Sequence, residues 1–150
     1  MIWLRRLPLL IGVSAAIAGC GSSSPSSHPA SSPVAGHPTA LWTARLSGAT
    51  GHPHGAPAGR GVAIVALHGP TVLCWRLAHL HGFTSPTAAE LQTGPRASVF
   101  VALRSGTVFH HQGCRHILSG QAAALQAHPS AYRVSIASAA YPSGAVRGRL

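Results

Sequence analysis

The chain has 150 residues, a formal net charge of +10 with histidine counted as neutral, and eleven arginines but no lysine. Glu90 is its single carboxylate side chain, which excludes paired-carboxylate chemistry and leaves a Ser, His, Asp triad without its Asp. No phosphate loop or dinucleotide fingerprint occurs either, so the sequence predicts a protein that is not an enzyme and needs no cofactor.

The chain begins with a pattern typical of a bacterial lipoprotein signal peptide, residues 1–19. Arg5 and Arg6 precede an apolar run over residues 7–18, and small residues stand just before Cys20. At about a dozen residues, the run is shorter than the roughly 20 that a transmembrane helix needs, which disfavours a membrane-spanning anchor with an incidental cysteine. We predict cleavage before Cys20, a lipid on its thiol, and export to the outer side of the cell membrane.

The segment after the cleavage site is low in apolar residues. Residues 21–40 are mostly Ser, Pro, Gly, Ala and His, with no hydrophobic period. Such a segment buries too little apolar surface to fold, so residues 20–40 are predicted to form a lipidated, disordered tether. Residues 41–150 are long enough for one domain with one core.

The domain has the periodicity of β-strands. Alternation at period two, broken by Gly and Pro clusters, predicts an all-β, antiparallel Greek-key sandwich or barrel. The alternating sets are Trp42, Ala44 and Leu46; Val62, Ile64 and Ala66; Leu73, Trp75 and Leu77; Val99, Val101 and Leu103; Tyr132, Val134 and Ile136; and Val146 with Leu150. Residues 119–128 contain good helix formers between Ser119, a plausible N-cap, and Pro129, so one short helix is expected before the last two strands.

The cysteines form an even pair once Cys20 carries lipid. Cys74 and Cys114 are then predicted to form a disulfide, because exported proteins meet an oxidising compartment. The alternative makes Cys114 a metal ligand beside neighbouring histidines, although their spacing matches no common zinc pattern. Those histidines are His110, His111 and His116.

A His-x-His motif at His79 and His81 is the other candidate for metal chemistry. On a regular strand the two imidazoles would point to one face about 6 to 7 Å apart, which permits shared coordination of Cu or Zn. Exposed histidines at a sheet edge are the competing interpretation. A metal site also needs a third ligand, for which the candidates are His52, His54, His68 and His110.

Near the end of the chain, Tyr, Pro, Ser and Gly lead into Val146, Arg147, Gly148 and a last short strand. Together with several earlier segments, this ending resembles a chordin-type CHRD domain of the kind found in bacterial lipoproteins, and it is the most specific part of the resemblance. The resemblance implies an antiparallel β domain over nearly the whole of residues 41–150. The segments that carry it are residues 46–49, 73–77, 84–89, 113–114, 129–132 and 139–150.

The chain departs from the family pattern at its polar positions. The resemblance implies a His-x-His after the paired alanines, where this chain has Glu90, Leu91 and Gln92. It also implies a histidine where Ala137 stands, and an acidic residue near Thr50. If those histidines bind a ligand in relatives, this chain lacks the side chains that would bind it. We therefore assign none of the family's site residues to this chain.

The arginines are scattered without a basic run, which disfavours nucleic acid as a partner. The positive charge instead favours anionic lipid head groups or envelope polymers, with a GC-rich genome as the other explanation of the arginine content. We expect a lipid-anchored, non-catalytic envelope module with an interaction or structural role, whose partner is such a polymer or another surface protein. The alternative is an envelope protein that binds Cu or Zn through its histidines.

Overall fold

The computed structural model describes residues 36–49, 53–104 and 108–150. The predicted signal peptide, Cys20 and most of the predicted tether lie outside the described residues, as does His52. The first strand begins at Ala40, one residue before the start predicted for the folded domain.

The described residues form eight strands and one α-helix. The strands are β1 Ala40–Ser47, β2 Arg60–His68, β3 Val72–His81, β4 Pro86–Thr93, β5 Ser98–Ala102, β6 Gln112–His116, β7 Tyr132–Ser138 and β8 Val146–Arg149. The helix α1 is Ser119–Ala127, and a single 3₁₀ turn, Pro129–Ala131, connects it to β7.

All neighbouring strands pair antiparallel in one curled sheet, in the order β5-β4-β7-β8-β1-β2-β3-β6. The chain crosses three times between the half that contains β1, β2, β3 and β6 and the half that contains the other strands. The two edge strands are linked by the Arg115 guanidinium on β6, whose Nη1 donates to the Ala102 carbonyl on β5 at 2.7 Å. The prediction of an antiparallel all-β fold with one short helix is confirmed. Of the two forms expected, a sandwich and a barrel, the single curled sheet is closer to the barrel.

The inside of the curl is filled by alternate residues of most strands. In β3 the predicted set Leu73, Trp75 and Leu77 is buried, as expected for one face of a strand. In β2 the buried set is Ala63, Val65 and Leu67, while Val62, Ile64 and Ala66 lie half-exposed on the outer face. Because β2 is apolar on both faces, its alternation does not distinguish the core side.

Two strands, β4 and β6, are not predicted by the alternating pattern of the sequence. β4 has Pro, Ala and Glu, which are weak strand formers, yet it lies between β5 and β7 and pairs with both. β6 is short and polar, and it pairs with β3 through register contacts that include Cys74 opposite Cys114. Both strands are set by long-range pairing, which outweighs local propensity.

The helix is in its expected place, but its predicted cap is wrong. Leu118 is the N-cap and Ser119 is the first helical residue, without a side-chain capping bond. Instead, the Gln121 side chain accepts a hydrogen bond from the Leu118 N–H at 3.0 Å and donates one to the Phe100 carbonyl at 3.1 Å. This side chain therefore both stabilises the helix start and satisfies a carbonyl on the edge strand β5.

Candidate functional site

A groove on the outer face of β1, β2 and β3 collects four basic side chains. It has a volume of about 310 Å³. Register places Ser47, Arg60 and His81 side by side, because Ser47 pairs with Arg60 and Arg60 pairs with His81. We call this the basic groove, and its lining residues are Arg45, Leu46, Ser47, Arg60, Gly61, Val62, His79 and His81.

A β-bulge in β3 gives the groove its histidines. Arg60 pairs with His81 and Val62 pairs with Ala78, so His79 and Leu80 together oppose Gly61. The extra residue is His79, whose φ is 53°, in the left-handed region that non-glycine residues rarely adopt.

The bulge reverses the alternation of β3. Without it, His79 and His81 would continue the inward set of Leu73, Trp75 and Leu77, because alternate residues share a face. With it, Leu80 turns toward the core and both histidines are exposed. Both histidines therefore line the same groove, but the regular strand assumed when they were predicted to share a face is interrupted by the bulge.

Gly61 makes room for this arrangement. A Cβ at Gly61 would lie 2.5 Å from the Leu80 Cδ2 atom, which is too close for two carbon atoms. The missing side chain on β2 thus accommodates the inward Leu80, and the inward Leu80 keeps His79 and His81 on the outside.

Among the described arginines outside the groove, three donate side-chain hydrogen bonds to backbone carbonyls: Arg115, Arg133 and Arg147. Arg133 Nη2 donates to the Gly94 carbonyl at 2.9 Å, and Arg147 Nη1 donates to the Pro53 carbonyl at 2.8 Å. Burial, and secondarily the charge of Arg133, lower the pKa of the Arg147 guanidinium, which stays protonated because arginine does not lose its charge in proteins. With so few carboxylates available, backbone carbonyls take their place as partners of these arginines.

Cys74 and Cys114 form a disulfide, as predicted, across directly paired positions of β3 and β6. It ties the edge strand β6 to the rest of the sheet. In the oxidised chain Cys114 has no thiolate to offer, so the alternative of a metal site built on Cys114 is wrong for this state.

Of the four histidines proposed as further ligands, the three that the structure describes do not join the groove. His54, His68 and His110 are absent from its lining, and His52 lies outside the described residues. Within residues 36–49, 53–104 and 108–150, no cluster of three or more His, Cys, Asp or Glu side chains has a geometry that could hold a metal ion.

The positions at which the resemblance implies histidines come together elsewhere. Glu90, Gln92 and Ala137 line one pocket of about 170 Å³, beneath the connection between β7 and β8. The Gln92 Nε2 donates to the Glu90 carboxylate at 3.0 Å, and the Gln92 Oε1 is buried without a partner among the described residues. This chain therefore offers a carboxylate, an amide and a methyl group where imidazoles were implied.

Comparisons with known proteins give one match. A family model described as CHRD domain matches residues 42–150, which is most of the chain and all of the strands after the start of β1. No curated protein and no solved structure matches the chain. Among the helices that the structure describes, none is both long and apolar enough to cross a membrane.

Proposed function

Because the chain belongs to the CHRD domain family, we propose that it is a lipid-anchored β module of the bacterial cell envelope that binds an anionic partner and carries out no catalysis. The observation that carries this proposal is the basic groove, where Arg45, Arg60, His79 and His81 meet on an exposed face without a carboxylate in the lining.

The anchor is proposed from the sequence alone. The basic start, the apolar run and the small residues before Cys20 form the pattern that directs lipid to a cysteine thiol. Mass spectrometry of the protein from membranes should show an N-terminal lipidated Cys20, and a Cys20→Ser variant should lose the lipid. A variant that still carries lipid would show that the modified residue is misassigned.

The non-catalytic role is supported by the shortage of carboxylate and thiolate groups. Glu90 is the single carboxylate side chain of the chain and accepts a hydrogen bond from Gln92. Cys74 and Cys114 are joined and supply no thiolate nucleophile. Paired-carboxylate chemistry, a Ser, His, Asp triad and thiolate chemistry each require a group that these residues do not provide.

The partner is proposed to be an anionic polymer or lipid surface of the envelope. Polyanion binding predicts retention of the full chain, purified in neutral detergent, on peptidoglycan that carries anionic glycans. Retention should weaken steeply between about 0.05 and 0.5 M salt, because exposed charges are screened over this range. Failure to bind at low salt, or retention that does not change with salt concentration, would refute a polyanion partner. An uncharged polysaccharide is the control matrix.

Metal binding is the alternative, and the placement of His79 and His81 in one groove is the observation that favours it. Two imidazoles need further ligands, from solvent or a second molecule, to complete a Cu or Zn shell. Titration of the full chain with Cu(II) and Zn(II) tests this function. A tight, stoichiometric site that disappears in a His79→Ala, His81→Ala variant would favour the metal over the polyanion.

A further inference from the structure

We propose that the basic groove is a binding site for a phosphate group within a polymer or lipid head group, and that its affinity rises as the pH falls from 8 toward 5. This inference rests on the proposed function and deepens it, because it gives the anionic partner a chemistry and a place on the molecule.

The Arg60 guanidinium is held with one edge free. Its Nη1 donates to the Pro57 carbonyl at 3.1 Å and to the Gly59 carbonyl at 2.7 Å. Both bonds use the same nitrogen, so the parallel Nε–H and Nη2–H bonds have no partner in the described part of the chain. Two parallel donors match two oxygens of a phosphate, and the backbone bonds reduce the side-chain freedom that binding must remove.

β1 adds a second cation and a hydroxyl. The Arg45 guanidinium has no hydrogen bond or ion pair with another described residue. The Ser47 Oγ accepts a hydrogen bond from the Ala49 N–H at 3.3 Å, which leaves its own hydrogen available to donate into the groove. With Arg60, these groups supply donors from two neighbouring strands to one acceptor-rich ligand.

The lining holds no competing negative charge. Glu90 lies on β4, in the other half of the sheet. An incoming anion therefore does not have to displace a carboxylate from Arg45 or Arg60. Phosphate, with oxygens in several directions, can accept from both guanidinium groups and the hydroxyl together.

The histidines make the site sensitive to pH. The charged and titratable groups that face it are Arg45 from β1, Arg60 from β2, and His79 with His81 from β3. Protonation of an imidazole in the groove would add a positive charge next to the anion, and histidine is the side chain best suited to such a change near neutral pH. Linkage fixes the sign, because a ligand that favours the protonated imidazole binds more tightly as pH falls.

The size of the groove favours phosphate within a larger molecule. Its volume of about 310 Å³ is at the lower end of the roughly 300–1,000 Å³ that is typical of ligand pockets. A phosphate group has five heavy atoms, so space remains for the glycerol or sugar units that flank it in a phosphodiester. A phosphodiester also keeps a constant charge between pH 5 and 8, so any pH effect reports on the protein.

The test measures binding of the full chain, in neutral detergent, to poly(glycerol phosphate) by isothermal titration calorimetry. Arg45→Gln and Arg60→Gln should each weaken binding about tenfold, as expected for loss of a charge-assisted hydrogen bond. Arg76→Gln is the matched control, because Arg76 is exposed on β3, pairs with Ile64, and lies outside the groove lining. It removes the same charge and should change affinity less than about twofold.

The pH arm compares wild type with a His79→Gln, His81→Gln variant. Wild type should bind several-fold more tightly at pH 5.5 than at pH 7.5, and the variant should show the pH 7.5 affinity at both. Vesicles of phosphatidylcholine with and without phosphatidylglycerol identify the source of the phosphate. Binding to either phosphate source with groove-specific losses supports the site.

Three results would overturn it. Equal weakening by Arg45→Gln and Arg76→Gln would mean that overall charge binds the polymer, which refutes the site and leaves the proposed function standing. Equal or tighter binding of polyglutamate at matched charge would refute phosphate as the ligand. Absence of binding to every polyanion would refute the site and the proposed function together.

Discussion

The β-bulge at His79 predicts that glycine and alanine variants have opposite orders of stability at His79 and at His81. His79 has φ of 53°, where a Cβ costs about 1 to 2 kcal/mol relative to glycine. His79→Gly should therefore be more stable than His79→Ala by about 1 kcal/mol. His81 is in the same groove and also exposed, but it is an extended strand residue outside the set with positive φ.

At His81 the order should be the ordinary one. Glycine in a strand costs about 0.5 to 1 kcal/mol relative to alanine, because it has more backbone freedom to lose on folding. His81→Gly should thus be less stable than His81→Ala, and the two glycine-to-alanine differences should have opposite signs. Since both wild-type side chains are exposed, loss of packing contributes little to either difference.

Urea denaturation of the four variants, with the disulfide intact, measures these differences by linear extrapolation. The same variants give a second readout, since His79→Gly and His79→Ala should both lose part of the gain in phosphate affinity at low pH despite their different stabilities. Alanine more stable than glycine at both positions would mean that β3 is regular. The outward placement of the two histidines, and with it the basic groove, would then be refuted.

Three further variants test the fold that carries the groove. Gly113→Ala would place a Cβ 2.7 Å from the Trp75 ring, so we expect a loss of about 1 to 3 kcal/mol in unfolding free energy and a shifted tryptophan fluorescence. Replacing Cys74 and Cys114 together by Ala opens a loop with a sequence separation of 40, for which the chain-entropy estimate is a loss of about 4 kcal/mol in urea denaturation. Leu125→Ala should cost about 2 to 5 kcal/mol, because Leu125 is fully buried, and an unchanged midpoint would show that α1 does not pack on the core.

The sequence could predict those parts of the fold where one face of a strand differs from the other. Leu73, Trp75 and Leu77 alternate with less apolar neighbours and are buried, so β3 was recognisable from its own residues. β6 was not, because Gln112–His116 contains a glycine and polar residues and becomes a strand only by pairing with β3. The one residue of β6 that indicated its position was Cys114, because its predicted disulfide partner Cys74 lies directly opposite on β3.

The basic groove could not be predicted from the sequence, because it too depends on contacts between residues that are distant in the chain. The His-x-His motif is visible in the sequence, but a regular strand would have turned both imidazoles toward the core side of β3. The bulge that turns them outward depends on Gly61, which is distant in sequence and next to Leu80 in space. Likewise, Arg45 and Arg60 become neighbours of His81 only through the pairing of three strands.

Composition and geometry therefore answer different questions about the partner. A net charge of +10 with one carboxylate predicts affinity for polyanions wherever the arginines lie. Unpaired charge alone does not locate a site, since Arg76 and Arg45 are both exposed. What distinguishes Arg45 is the convergence of a second guanidinium, two imidazoles and a hydroxyl in one concave surface. Arg45→Gln and Arg76→Gln remove the same charge, so any difference between their affinities for poly(glycerol phosphate) measures that convergence and not the net charge.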